Sequence, residues 1–158
     1  MEFENIVSLL KEKKQTVTFA ESCTGGLLAK SITDIAGASE VFKGSIVAYA
    51  NEIKHGFLCV KQETLDNYGA VSKQTAYEMA SGARMLFSSD IAVAVTGIAG
   101  PSGGSEEKPV GLVFIGISDK YQTKTYRMKA SNANGRNGVR CAVVKEVCRL
   151  LEEWLKNE

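Results

Sequence analysis

The chain has 158 residues, 44% of them hydrophobic, a common size for one domain and enough apolar material for one core. Lys and Arg number 19 against 18 Asp and Glu, and the two signs are interspersed along the chain, which argues against a bulk nucleic-acid or anionic-membrane partner. Two prolines, no low-complexity tract and no apolar run near the ~20 residues of a membrane span lead us to expect one cytoplasmic domain over residues 1–158.

In chain order, Phe3, Ile6, Val7, Leu9 and Leu10 give a helical stripe up to Lys13. Thr16–Ala20 reads as a β-rich strand ending in a Glu21–Gly26 turn, and Leu27–Ala36 has helical spacing until Gly37 stops it. Gly44–Ala50 is a second strand, apolar enough to expect burial on both faces. Asn51–Leu58 and Gln62–Tyr68 read as short helices, the latter ended by Gly69. Ser72 can cap a longer helix that turns Ala76, Met79, Ala80, Ala83 and Phe87 or nearby residues to the core. Ile91–Thr96 is a third strand, followed by a loop over Gly97–Pro109 that is rich in Gly and Ser. Gly111–Ser118 and Thr123–Lys129 form a hairpin, and a helix from Arg136 to Lys156 closes the chain with Val139, Val143, Val147, Leu150, Trp154 and Leu155 on one side. Cys141 and Cys148, seven apart on that helix, read as small buried apolar residues, and no CxxC pair suggests zinc or redox chemistry.

Strands alternating with helices and then a late hairpin imply an α/β fold: a three-layer α/β/α sandwich on a mixed, mostly parallel sheet. Ligands of such sheets gather beyond the strand ends. The loops at Ser22, at Lys54 and over Gly97–Pro109 are therefore expected to converge.

Ser22 ends a buried strand and precedes small residues and a helix, an arrangement suited to a nucleophile with backbone N–H groups beside it as oxyanion donors. Gly25 and Gly26 permit a tight turn and a close approach. The local pattern equally allows Ser22 or Thr24 simply to cap the helix. Any nucleophile needs a base, and the sole histidine, His55, has no Ser-His-Asp set around it and reads as exposed or structural. Lys54 could act as a neutral-amine base if desolvated, or be an ordinary solvated lysine. Cys23 is a rival nucleophile, while Glu21 reads as a residue that positions the turn. The Thr96–Ser105 segment, with Gly97, Gly100, Gly103 and Gly104, is a glycine-rich turn that can wrap a phosphate or connect flexibly. Arg136 and Arg140 could hold an anion or be solvated.

Taken together, AESCTGG over Ala20–Gly26, Tyr49–Lys54, Gly69–Ser72 and TGIAGPSGGSEEKPVG over Thr96–Gly111 closely resemble the CinA C-terminal domain family. The resemblance implies deamidation of nicotinamide mononucleotide by a metal-free, cofactor-free Ser-Lys pair, which falls on Ser22 and Lys54. It implies a hydrogen-bonding role for Tyr49 and a pocket lined by Thr96 and the glycines that follow. We expect Cys23, Thr24, Gly25 and Gly26 to contact the substrate, backbone N–H groups near Cys23–Gly25 stabilising the oxyanion. Asn134–Arg140 keeps the two arginines of a G-D-R-x-x-x-R-like element without its aspartate, which makes Arg140 and Arg136 provisional phosphate contacts. A stand-alone, homo-oligomeric deamidase acting on a pyridine mononucleotide is the expectation. A non-catalytic nucleotide-binding module linked to competence or DNA damage is the alternative.

Overall fold

The computed structural model describes residues 2–157. Five strands, β1 (Val17–Glu21), β2 (Phe42–Val47), β3 (Ile91–Gly97), β4 (Leu112–Ser118) and β5 (Thr123–Lys129), form one sheet in the order β2-β1-β3-β4-β5. β1 pairs in parallel with β2 and β3, whereas β4 is antiparallel to both neighbours, so four of the five strands share one direction. The helices are α1 (Glu2–Lys13), α2 (Leu27–Thr33), α3 (Asn51–Leu58), α4 (Gln62–Tyr68), α5 (Lys73–Phe87) and α6 (Gly135–Lys156). None of the described helices is long and apolar enough to cross a membrane.

The alternation along Ile91-Ala92-Val93-Ala94-Val95 explains the layering, because successive side chains of a strand point to opposite faces. One face carries large side chains, Val17, Phe19, Ile91, Val93, Val95, Val113, Ile115 and Ile117, under α1, α2 and α6. The other face is built of Ala20, Ala92 and Ala94, and α3, α4 and α5 cover it through Leu58, Leu65, Met79, Ala80 and Ala83. Small residues let α5 lie close: a Cβ on Gly116 would stand 2.4 Å from the Ala76 carbonyl oxygen. The hydroxyl of Ser72 accepts from the Thr75 N–H as the N-cap of α5, as its position in the sequence suggests.

Three expectations are corrected. β2 is the edge strand and is half-exposed along its length, where burial on both faces was expected. Sheet order, which no local pattern encodes, decides this. The helix expected to reach Ala36 ends at Thr33, followed by a single 3₁₀ turn at Ala38–Glu40. Cys148 is buried but Cys141 is exposed. The buried stripe of α6 is two residues wide around Val147, Cys148, Leu150 and Leu151, and narrows to Val139, Val143 and Val144 near its start, which leaves Cys141 outside.

The connections position the site. The chain leaving β1 passes to α2 on one face, and the chain leaving β2 passes to α3 on the other. Where neighbouring strands send their chains to opposite faces, a crevice opens beyond their carboxyl ends.

Candidate active site

Ser22 follows the last residue of β1, and its backbone N–H donates to the Val95 carbonyl of β3 (3.0 Å), which anchors it to the sheet. Neither Ser22 nor Thr24 caps α2. The N-cap is Gly26, with no side-chain cap, and the carboxylate of Glu21 takes that role from behind. Fully buried Glu21 accepts from the N–H groups of Gly26 (3.0 Å), Leu28 (3.0 Å) and Ala29 (2.9 Å), and from the Ser45 hydroxyl of β2 (3.1 Å). A negative group at the orphan donors of a helix start is well placed electrostatically. With Glu21 as cap, the Ser22 hydroxyl is left facing the crevice.

Lys54 lies in α3 and is 1% exposed. Its Nζ lies 3.0 Å from Ser22 Oγ and donates to the carbonyl oxygens of Ala48 (2.8 Å) and Tyr49 (3.0 Å). No carboxylate pairs with it among the described residues, and desolvation holds the amine below the ordinary lysine value of 10.5. Two carbonyls occupying two N–H groups leave the lone pair of a neutral amine for the Ser22 hydroxyl proton.

Cys23 is buried beside this pair, and burial pushes its thiol up to about 11, which keeps it protonated at neutral pH and removes it as a thiolate nucleophile. His55 is exposed and its Nδ1 contacts the Val60 carbonyl (2.7 Å), a structural role.

The loops after β1, β2 and β3 do converge. Ser22, Cys23, Tyr49, Lys54, Thr96, Gly97, Gly100, Gly103 and Arg136 line one cavity of about 340 Å³. Ala70 and Val71, between α4 and α5, complete its wall, and the Thr96 hydroxyl donates to the Ala70 carbonyl (2.7 Å). Sequence reasoning gave Gly69–Ser72 no part in the site, although this motif stood out as a segment. Its apolar side chains carry no chemical signal of a wall. Tyr49 is 58% exposed, at the rim, where its hydroxyl accepts from Arg136 Nη2 (2.7 Å). Arg136 Nη1 donates to the Gly100 carbonyl (2.8 Å), so one guanidinium ties two site loops to the start of α6.

Thr24, Gly25, Gly26, Gly104 and Arg140 are not in the cavity wall. Thr24 is fully buried beneath the turn, and Gly104 packs against Val110. Arg140 donates from Nε (3.1 Å) and Nη2 (2.7 Å) to the Thr24 carbonyl. Among the described residues, no three His, Cys, Asp or Glu side chains come together as a metal ion would require.

With this geometry in view, a family model described as the CinA C-terminal domain matches residues 2–155. The chain belongs to the CinA C-terminal domain family. It is 52% identical over 147 residues to a CinA-like protein of Endomicrobium trichonymphae, covering 93% of this chain and 34% of that one. A CinA-like protein of Thermotoga neapolitana is 45% identical over 153 residues, covering 97% and 37%. The chain thus spans about a third of the length of these curated CinA-like relatives. Among solved structures, the competence/damage inducible protein CihA from Agrobacterium tumefaciens superposes with a TM-score of 0.94 at 42% identity, covering 98% of this chain and 93% of that one. A CinA superfamily protein from Klebsiella pneumoniae does so with a TM-score of 0.95 at 31% identity, covering 99% and 97%.

Proposed function

We propose that this CinA domain is an amidohydrolase that converts nicotinamide mononucleotide to nicotinic acid mononucleotide and ammonia. The observation that carries the proposal is the Ser22–Lys54 contact: a buried amine 3.0 Å from a serine hydroxyl, with two backbone carbonyls and no carboxylate for partners. A binding module has no use for an amine buried in this way. The substrate comes from the family resemblance of the motifs, and the cavity of about 340 Å³ suits a mononucleotide.

In the proposed reaction neutral Lys54 takes the Ser22 proton as Oγ attacks the carboxamide carbon. The Ala48 and Tyr49 carbonyls then hold the resulting ammonium. In the turn, the N–H groups of Ser22, Gly25, Gly26, Leu27, Leu28 and Ala29 already have acceptors, and Cys23 is the remaining turn residue in the cavity wall, so its N–H is the proposed oxyanion donor. Each such donor contributes roughly 3–4 kcal/mol in enzymes where one has been removed. Lys54 returns its proton to the leaving nitrogen, and ammonia departs. Water, deprotonated by the same amine, hydrolyses the ester on Ser22. Arg136 is the guanidinium in the cavity wall and the proposed phosphate contact.

The test is ammonia release from nicotinamide mononucleotide, nicotinamide, its riboside and NAD, with Ser22→Ala and Lys54→Ala beside the wild type. Activity on the mononucleotide that both variants lose supports the reading. Near-normal release by either variant, or silence of the wild type across the panel, overturns it, and silence favours a nucleotide-binding module.

A further inference from the structure

The turn that carries Ser22 has little rigidity of its own. Gly25 and Gly26 have φ of +57° and +97°, a region open to glycine at low steric cost, and a pair of glycines has more backbone freedom to lose than any other pair. A nucleophile held to within a fraction of an ångström therefore needs outside support. Two charged groups that are not part of the cavity wall supply it from opposite ends of the turn. Glu21 takes up the Gly26 N–H from the sheet side, and Arg140 takes up the Thr24 carbonyl from α6. The same carbonyl also accepts from the Leu27 N–H (3.2 Å), and the next peptide unit closes back on Ser22 through the Gly25 N–H and the Ser22 carbonyl (3.1 Å).

We propose that Arg140 is a positioning residue for Ser22, clamping the Thr24 carbonyl so that the Gly25-Gly26 turn keeps the nucleophile and its neighbouring N–H groups in place, with Glu21 as the opposing clamp. This rests on the Ser22–Lys54 reading and replaces the expectation that Arg140 binds the phosphate. A fork of two N–H donors on one oxygen fixes a direction as well as a distance, which a lysine cannot reproduce. Arg136, one turn earlier on α6, faces the cavity, so the two arginines divide the work: one toward the ligand, one toward the backbone.

The experiment compares wild type with Arg140→Met, Arg140→Ala, Arg140→Lys and Glu21→Gln in two measurements. The first is kcat and KM for the mononucleotide and for the riboside that lacks the phosphate. The second is backbone amide exchange over residues 23–27, followed by mass spectrometry. For Arg140→Met, kcat falls by about a hundredfold, the scale set by small misplacements of reacting groups. KM stays near the wild-type value, and the two substrates lose activity equally. Exchange over the turn speeds up, Arg140→Lys recovers little, and guanidinium ion at a sub-denaturing concentration restores part of the activity of Arg140→Ala. A loss confined to the phosphorylated substrate and expressed in KM overturns the proposal in favour of a phosphate contact. So does an unchanged kcat, and so does unchanged exchange over the turn. Wild type that releases no ammonia refutes the Ser22–Lys54 reading by itself, and the exchange measurement then decides the clamp: no acceleration in Arg140→Met or Glu21→Gln overturns it.

Discussion

At Lys54 the chain buries an amine among three oxygen atoms without a carboxylate to balance it. Desolvation penalises the charged form, so the pKa shifts down from 10.5. The base works when neutral, and its neutral fraction grows as pH rises through the lowered value. The ascending limb of the pH–rate profile is therefore expected below 10.5, and a limb at or above 10.5 would show that burial does not tune this amine. Lys54→Arg keeps charge and loses the base, so ammonia release should fall to the level of Lys54→Ala in a single-turnover assay. Cys23 gives the complementary expectation. With its thiol pushed up to about 11, Cys23→Ala keeps most of the activity, and iodoacetamide at neutral pH leaves the wild type active. These residues were nameable from the sequence as serine, lysine and cysteine near strand ends. What the sequence could not supply was the pair of carbonyls around Lys54, because main-chain acceptors belong to every residue alike.

At the scale of elements, α3 carries Lys54, and its far end rests on α5. A Cβ on Gly82 would stand 1.8 Å from the Leu58 carbonyl oxygen, closer than any side chain can be accommodated. In an isolated helix, Gly to Ala is stabilising by about 1 kcal/mol. Here the sign reverses: Gly82→Ala is expected to cost roughly 1–3 kcal/mol through overpacking, read from urea unfolding, and to lower ammonia release because α3 shifts with it. Ser72→Ala, which removes the cap of α5, should cost about 1 kcal/mol in the same assay. Helices were legible wherever periodicity and punctuation agreed, as at Ser72 and Gly69. The misreading of β2 has a physical reason: Ile46 and Val47 advertise apolar character, but neighbours across the sheet decide whether it is covered, and Val47 is exposed. The capping of α2 was hidden for a related reason. Glu21 is a strand residue that reaches forward to donors as far on as Ala29, and pattern rules for caps search the helix start itself.

Across the whole molecule, the cavity draws on the chain leaving β1, β2 and β3, on α3, on the α4–α5 connection and on α6. The convergence of the first three followed from the general behaviour of α/β sheets. The order β2-β1-β3-β4-β5, which sets β1 between β2 and β3 and so puts Ser22 between its two partner loops, did not. Size discrimination belongs to this scale. A cavity of about 340 Å³ is expected to admit the mononucleotide and to process NAD poorly, and comparable kcat/KM for both would contradict discrimination by size.

The Arg140 clamp spans 116 residues of chain. During synthesis, Ser22 and Lys54 emerge and can approach each other long before α6 exists. On this arrangement a nascent chain that ends before α6 holds its reactive pair on an unbraced turn. Hydrolysis then awaits α6, and a chain cut short before it carries the parts of the site without their alignment.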